Sequence, residues 1–212
     1  MKRRISLILV VALLASLLVL PASAETTAGF KMSVVYFTED TSRPEMIEGE
    51  EASTLKAGDL IALRLDYAND ATPRWVTGYG AKILFDSSAL ELYSFKGGKN
   101  NRTTVGPQVG GLGGSPVYKA AEGSIVISEG AAYGLETGAN EVLPLAWVLF
   151  KVLDGAESGG ISFTIDPTFE NDLSGSLTED GAVASFEGIN FSDSKEVTVN
   201  GVAPTIKSVA ID

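Results

Sequence analysis

After an apolar opening run, hydrophobic positions along this chain fall into short blocks separated by turn residues. Residues 32–37 form the first block. Residues 60–67 form the next, where Leu60, Ala62, Leu63 and Leu65 alternate imperfectly with Asp59, Arg64 and Asp66. Ala57-Gly58-Asp59 just before it is a turn signal. Further strands are predicted at 78–85, 89–95, 116–119, 124–129, 142–153, 161–165, 182–186 and 196–199. Residues 142–150 are nearly all apolar, interrupted by Pro144. That pattern predicts a central strand covered on both faces. Within 78–85, alternation puts Ala81, Ile83 and Phe85 on one face and Gly80, Lys82 and Leu84 on the other. At the corner that follows, the Asp86 carboxylate is expected to accept from backbone N–H groups two residues on, with Leu90 and Leu92 pointing inward. No helical 3.6-residue stripe appears after residue 24. Short strands at roughly 8–12-residue spacing, bounded by Gly, Asn and Asp, predict an all-β sandwich.

The opening run changes the picture of where the chain works. Lys2, Arg3 and Arg4 precede an uncharged apolar stretch at 5–20, then Pro21 and the small residues Ala22-Ser23-Ala24. This is the layout of an export signal ending at residue 24, with a secreted or cell-surface product expected. Residues 25–201 form the predicted sandwich, and 202–212 read as a tail or the start of a further module. A chain of this length buries a core without disulfide staples.

Composition then removes chemistries. Among 212 residues there is no His and no Cys, which excludes Ser-His and Cys-His catalysis, imidazole or thiolate metal ligation, and disulfides. Sixteen Lys and Arg against 27 Asp and Glu leave a formal charge of −11, which argues against nucleic acid as a partner. The Gly-rich stretch 96–115 lacks both the Gly-Lys-Ser/Thr ending and the helix that a phosphate-binding loop needs. Asp166, Glu170, Asn171 and Asp172 concentrate oxygen ligands in one loop. A calcium loop started at Asp172, with Ser174 and Ser176 next, fails where Leu177 replaces the required Gly. A structural loop is the expectation there, and the chain carries no calcium-loop module of its own. Carboxylate chemistry is what remains, and no acidic pair stands out for it, so a non-catalytic protein without cofactor or resident metal is expected.

Read in order, six stretches resemble the cohesin family: Ala57-Gly58-Asp59-Leu60-Ile61, the run from Gly80 to Leu92 through Phe85-Asp86, Ser124-Ile125-Val126-Ile127, the apolar run 142–152, Phe169-Glu170-Asn171-Asp172-Leu173, and Gly188-Ile189-Asn190-Phe191 as the terminal strand. The resemblance spans residues 30–200. It implies a nine-stranded jelly-roll β-sandwich, one sheet face of which binds a dockerin. A dockerin is a small calcium-loaded helical module on another secreted protein, so any calcium belongs to the partner. The implied role is assembly or surface anchoring of polysaccharide-degrading machinery. By the same resemblance the partner-binding set is Gly78, Gly80, Lys82, Tyr118, Ser128, Tyr133 and Leu135. The chain departs from the family at Gly78 and Gly80, where main-type cohesins carry an Asn and an Asp. Glycines cannot supply those side-chain hydrogen bonds, which implies a divergent partner class.

An alternative is a carbohydrate-binding sandwich acting on polysaccharide directly, through an aromatic platform of Trp75 and Tyr79. It requires both rings to be exposed and coplanar. Trp147, inside the apolar run, is expected in the packing.

Overall fold

The burial pattern in the longest strands decides the architecture, because Arg74–Phe85 alternates between a buried and a more open face while Leu60–Ala68 and Val142–Val152 are buried on both. The computed structural model describes residues 27–38, 49–94, 104–105 and 117–201. The first sheet has the order β1 (Gly29–Tyr36), β3 (Leu60–Ala68), β9 (Val142–Val152), β5 (Leu90–Leu92), with β6 (Thr104–Val105) also on β9. The second has the order β12 (Ala184–Ser185), β11 (Asp172–Ser176), β4 (Arg74–Phe85), β10 (Gly159–Ile165), β13 (Ser194–Asn200), β2 (Thr54–Lys56). On the other side of β4 lies β8 (Ser124–Thr137), edged in turn by β7 (Val117–Lys119).

Between the layers the aromatic rings interlock. Phe85 meets Phe150 edge-on at 4.9 Å, and Phe150 meets Phe163 at 5.4 Å, joining β4, β9 and β10 across the sandwich. As the apolar run predicts, β9 is central, and residues 145–150 are all buried. Val148, Phe150 and Val152 enter the main core. Trp147 and Leu149 join Val35, Phe37 and Ala62 in a second cluster. The Asp86 corner also forms as expected, its Oδ1 accepting from the Ser88 amide at 2.9 Å.

Several boundaries move. The ten strand runs read from the pattern, against nine implied by the family resemblance, become thirteen among the described residues, the additions being mostly segments of two or three residues. β4 starts at Arg74 and β8 runs to Thr137, because each is paired by a neighbour well beyond its apolar stretch. Gly188–Phe191 is not the terminal strand: Gly188 turns at φ 74°, Asn190 makes one bridge to Gly29, and β13 follows as the last strand among the described residues. β11 forms where the family pattern suggests a loop. The export signal at 1–24, the tail at 202–212 and most of the Gly-rich stretch 96–115 lie outside the described residues.

Candidate binding face

Directly paired residues in neighbouring strands point to the same face of a sheet, so the register of β4 assembles the outer face of the second layer. Across β8, Gly78 faces Gly130, Gly80 faces Ser128, Lys82 faces Val126 and Leu84 faces Ser124. Across β11, Gly80 faces Asp172 and Gly78 faces Ser174. The inward set, Ala81, Ile83 and Phe85, is buried, as alternation predicts. Val117 extends the Lys82–Val126 row onto the edge strand.

At the centre of this face the side chains stop. Gly78, Gly80 and Gly130 leave a shallow open trough of about 460 Å³, edged by Thr77, Ser128, Asp172, Ser174 and Val183. The two β4 glycines differ in kind. A Cβ on Gly78 would sit 3.0 Å from Ser174 Oγ and 3.1 Å from the Glu129 carbonyl, so a side chain there needs its neighbours to give by a few tenths of an ångström. A Cβ on Gly80 would meet nothing nearer than Ser128 Cβ at 4.0 Å. Gly80 is therefore an open position that the fold does not require to be glycine.

Lys82 borders the trough but is already engaged. Its ammonium pairs with Asp166 at 2.8 Å, its amide donates to Asn171 Oδ1, and its carbonyl accepts from the Asp166 amide. Asp166 Oδ1 also accepts from the Thr168 amide and hydroxyl at 2.9 and 2.7 Å. The Lys82 contact first, and then the Thr168 bonds, hold the Asp166 carboxyl at a pKa of about 2. Asn171 Nδ2 donates to the Asp166 carbonyl at 2.9 Å. Segment 166–171 is thus a turn locked onto β4, and two of its oxygen-bearing side chains are spent internally. Among the described residues no group of three His, Cys, Asp or Glu side chains is placed to hold a metal ion.

Of the residues singled out from sequence, Gly78, Gly80, Ser128 and Lys82 come together on this face. Four others need correction. Leu135 pairs with buried Val76 and packs against the main core, so it does not face outward. Tyr118, 37% exposed, pairs with core residue Ile125, which puts it on the inner side of the edge strand. Val117, 56% exposed, takes the outward place beside Val126 instead. Tyr79 is not a platform residue. It is 6% exposed, its hydroxyl donates to the Leu145 carbonyl at 3.2 Å, and burial, then Glu129, push its phenol pKa up. Trp75 is half-buried on the opposite, outer side of β4. Residues four apart in a regular strand share a face, but the register slips between Val76 and Gly78 and inverts the alternation. The expected aromatic pair is therefore split across the sheet. Tyr133 lies in β8, and its side chain is outside the described residues. Sequence reasoning missed Thr77, Asp172, Ser174, Val117 and Val126 as members of the face. The alternation of Asp172, Leu173 and Ser174 was the available signal for the β11 pair.

One other polar cluster is structural. At the β3–β4 turn the Arg74 guanidinium grips Asp70 through two nitrogens at 2.7 and 2.8 Å, donates to Tyr67 and Asn69, and lies 5.4 Å over the Phe186 ring. Asn69 Nδ2 donates to the carbonyls of Thr72, Thr137 and Gly138, tying that turn to the β8–β9 connection. These bonds engage both terminal nitrogens of Arg74 and leave its buried Nε without a partner, and the cluster closes one end of the sandwich.

No family model and no curated protein matches the chain. Solved structures do. CaCohA2 from Clostridium acetobutylicum superposes with a TM-score of 0.51 at 16% identity, covering 84% of this chain and 95% of that one. A type II cohesin domain from the cellulosome of Acetivibrio cellulolyticus gives 0.50 at 13% identity, covering 81% and 95%. The Coh-OlpC–Doc435 complex, a type I cohesin–dockerin complex from Clostridium thermocellum, gives 0.50 at 12% identity, covering 83% and 97%. At these identities the likeness is one of fold, and the fold is the jelly-roll β-sandwich of the cohesins.

Proposed function

We propose that this chain is a non-catalytic cohesin-type binding module, secreted or held at the cell surface, whose outer β7–β8–β4–β11 face docks a dockerin on a partner protein. The observation that carries this reading is the face itself. It is broad, formed by paired strands rather than loops, and has a backbone-floored trough at its centre, on a fold whose type I representative is known in complex with a dockerin. A preformed sheet face suits protein docking because little backbone order is lost on association. Residues 1–24 act as the export leader and 25–201 as the module, with polysaccharide-degrading machinery as the setting. The direct sugar-binding alternative loses its support with the burial of Tyr79.

The test is capture. The chain is immobilised and offered a panel of purified dockerins of different types, with calcium and again with chelator, beside insoluble polysaccharides. We expect capture of at least one dockerin in calcium and its loss on chelation, because a metal-dependent partner fold fails without its ion. Binding to polysaccharide that persists in chelator, with every dockerin ignored, defeats the proposal.

A further inference from the structure

Resting on that reading, we infer that the glycine trough is a socket for one long cationic side chain, Lys or Arg, projecting from the partner's contact surface, with Asp172 as its counter-charge. Four observations converge. The trough is floored by backbone at Gly78, Gly80 and Gly130, so it receives a side chain rather than presenting one. Asp172 stands on its rim opposite Gly80 and makes no ion pair among the described residues. The cation nearest along the β4 row, Lys82, is held by Asp166 and is not available to Asp172. The Thr77 hydroxyl, also in the lining, is buried without a hydrogen-bond partner, while Ser128 and Ser174 add further oxygen acceptors around the rim.

Charge selects the occupant. A carboxylate from the partner would meet Asp172 at close range in the trough, on a protein whose formal charge is already −11. A cation gains a charge-assisted hydrogen bond there and leaves its aliphatic stem against apolar trough surface such as Val183. Gly80 is then the specificity position. It is the β4 glycine of the trough where a side chain meets open space, and any side chain there fills the socket.

Two measurements separate this inference from the reading beneath it. In the first, the chain is titrated with Nα-acetyl-arginine amide and, as the neutral isostere, Nα-acetyl-citrulline amide, followed by amide NMR. Arginine should shift the Gly78, Gly80 and Gly130 amides and citrulline should not, with the response lost in Asp172→Asn and in Gly80→Gln. Equal response to both compounds, or none at these glycines, overturns the socket whatever the dockerin panel shows. In the second, a dockerin captured from the panel is scanned by single Lys→Ala and Arg→Ala changes. One of them, like Asp172→Asn, should weaken binding by about tenfold, and the two should be non-additive in a double-mutant cycle. Additive effects overturn the inference while leaving dockerin binding standing. Failure of every dockerin alongside a positive arginine titration defeats the functional reading and keeps the socket. Thermal melts confirm that Gly80→Gln folds.

Discussion

Lys82 and Asp166 show how a single contact reassigns a residue. From sequence, Lys82 is an outward cation ready for a partner and Asp166 an oxygen in a metal-like loop; together they are an ion pair that fastens the 166–171 turn to β4. The pair makes a stability prediction with a definite sign. The Asp166 carboxyl lies at about 2 in the folded chain against an ordinary value of 3.8, so its contribution is present in full above pH 4. It is lost as the pH falls from there toward 2, where the unfolded chain takes up the proton first. Asp166→Asn should lower the urea midpoint at pH 6 and should narrow the gap to wild type at pH 2.5. A gap that is constant across that range would mean that the carboxylate's charge contributes nothing and only its turn geometry matters.

At the scale of the element, the long strands were legible because burial on one side writes a two-residue period. Residues 78–85 alternate cleanly and the register obeys them; the apolar 142–153 run lands within one residue of β9. What stayed hidden was whatever depends on a neighbour. β11 is short, polar and contains Gly175, and it exists because β4 offers it an edge. At Val76–Gly78 β4 carries one residue more than β11 opposite it, while β8 carries extra residues on the other side, so only the pairing with its neighbours shows that Trp75 and Tyr79 part company. The two kinds of glycine make this testable. A Cβ on Gly175 would lie 1.9 Å from the Trp75 carbonyl oxygen and 2.9 Å from the Phe186 ring, so Gly175→Ala should destabilise the chain by at least about 1–3 kcal/mol in chemical denaturation. Gly80→Ala meets open space, and reduced freedom of the unfolded chain should leave stability unchanged or raise it by about 0.5–1 kcal/mol. Equal losses for both would show that β11 does not hold β4 as closely as the register implies.

For the molecule as a whole, a formal charge of −11 sets the terms on which any partner approaches. The engaged cations of the binding face, Lys82 with Asp166 and Lys119 with Glu122, do little to offset it. A field of this sign repels acidic surfaces and draws a partner that presents cations, acting on the encounter more than on the lifetime of the complex. Screening shortens its reach to about 8 Å at physiological ionic strength. For a captured dockerin, the association rate should therefore fall by about tenfold between about 0.05 and about 0.5 M salt, while the dissociation rate changes far less. The trough contributes separately: a cation seated against Asp172 is partly shielded from solvent ions, so Asp172→Asn should act mainly on dissociation and keep most of the salt dependence of association. Surface-binding kinetics at several ionic strengths resolve the two. An association rate indifferent to salt would remove the global field from the mechanism and leave recognition to the central socket and the apolar Val117–Val126 strip beside it.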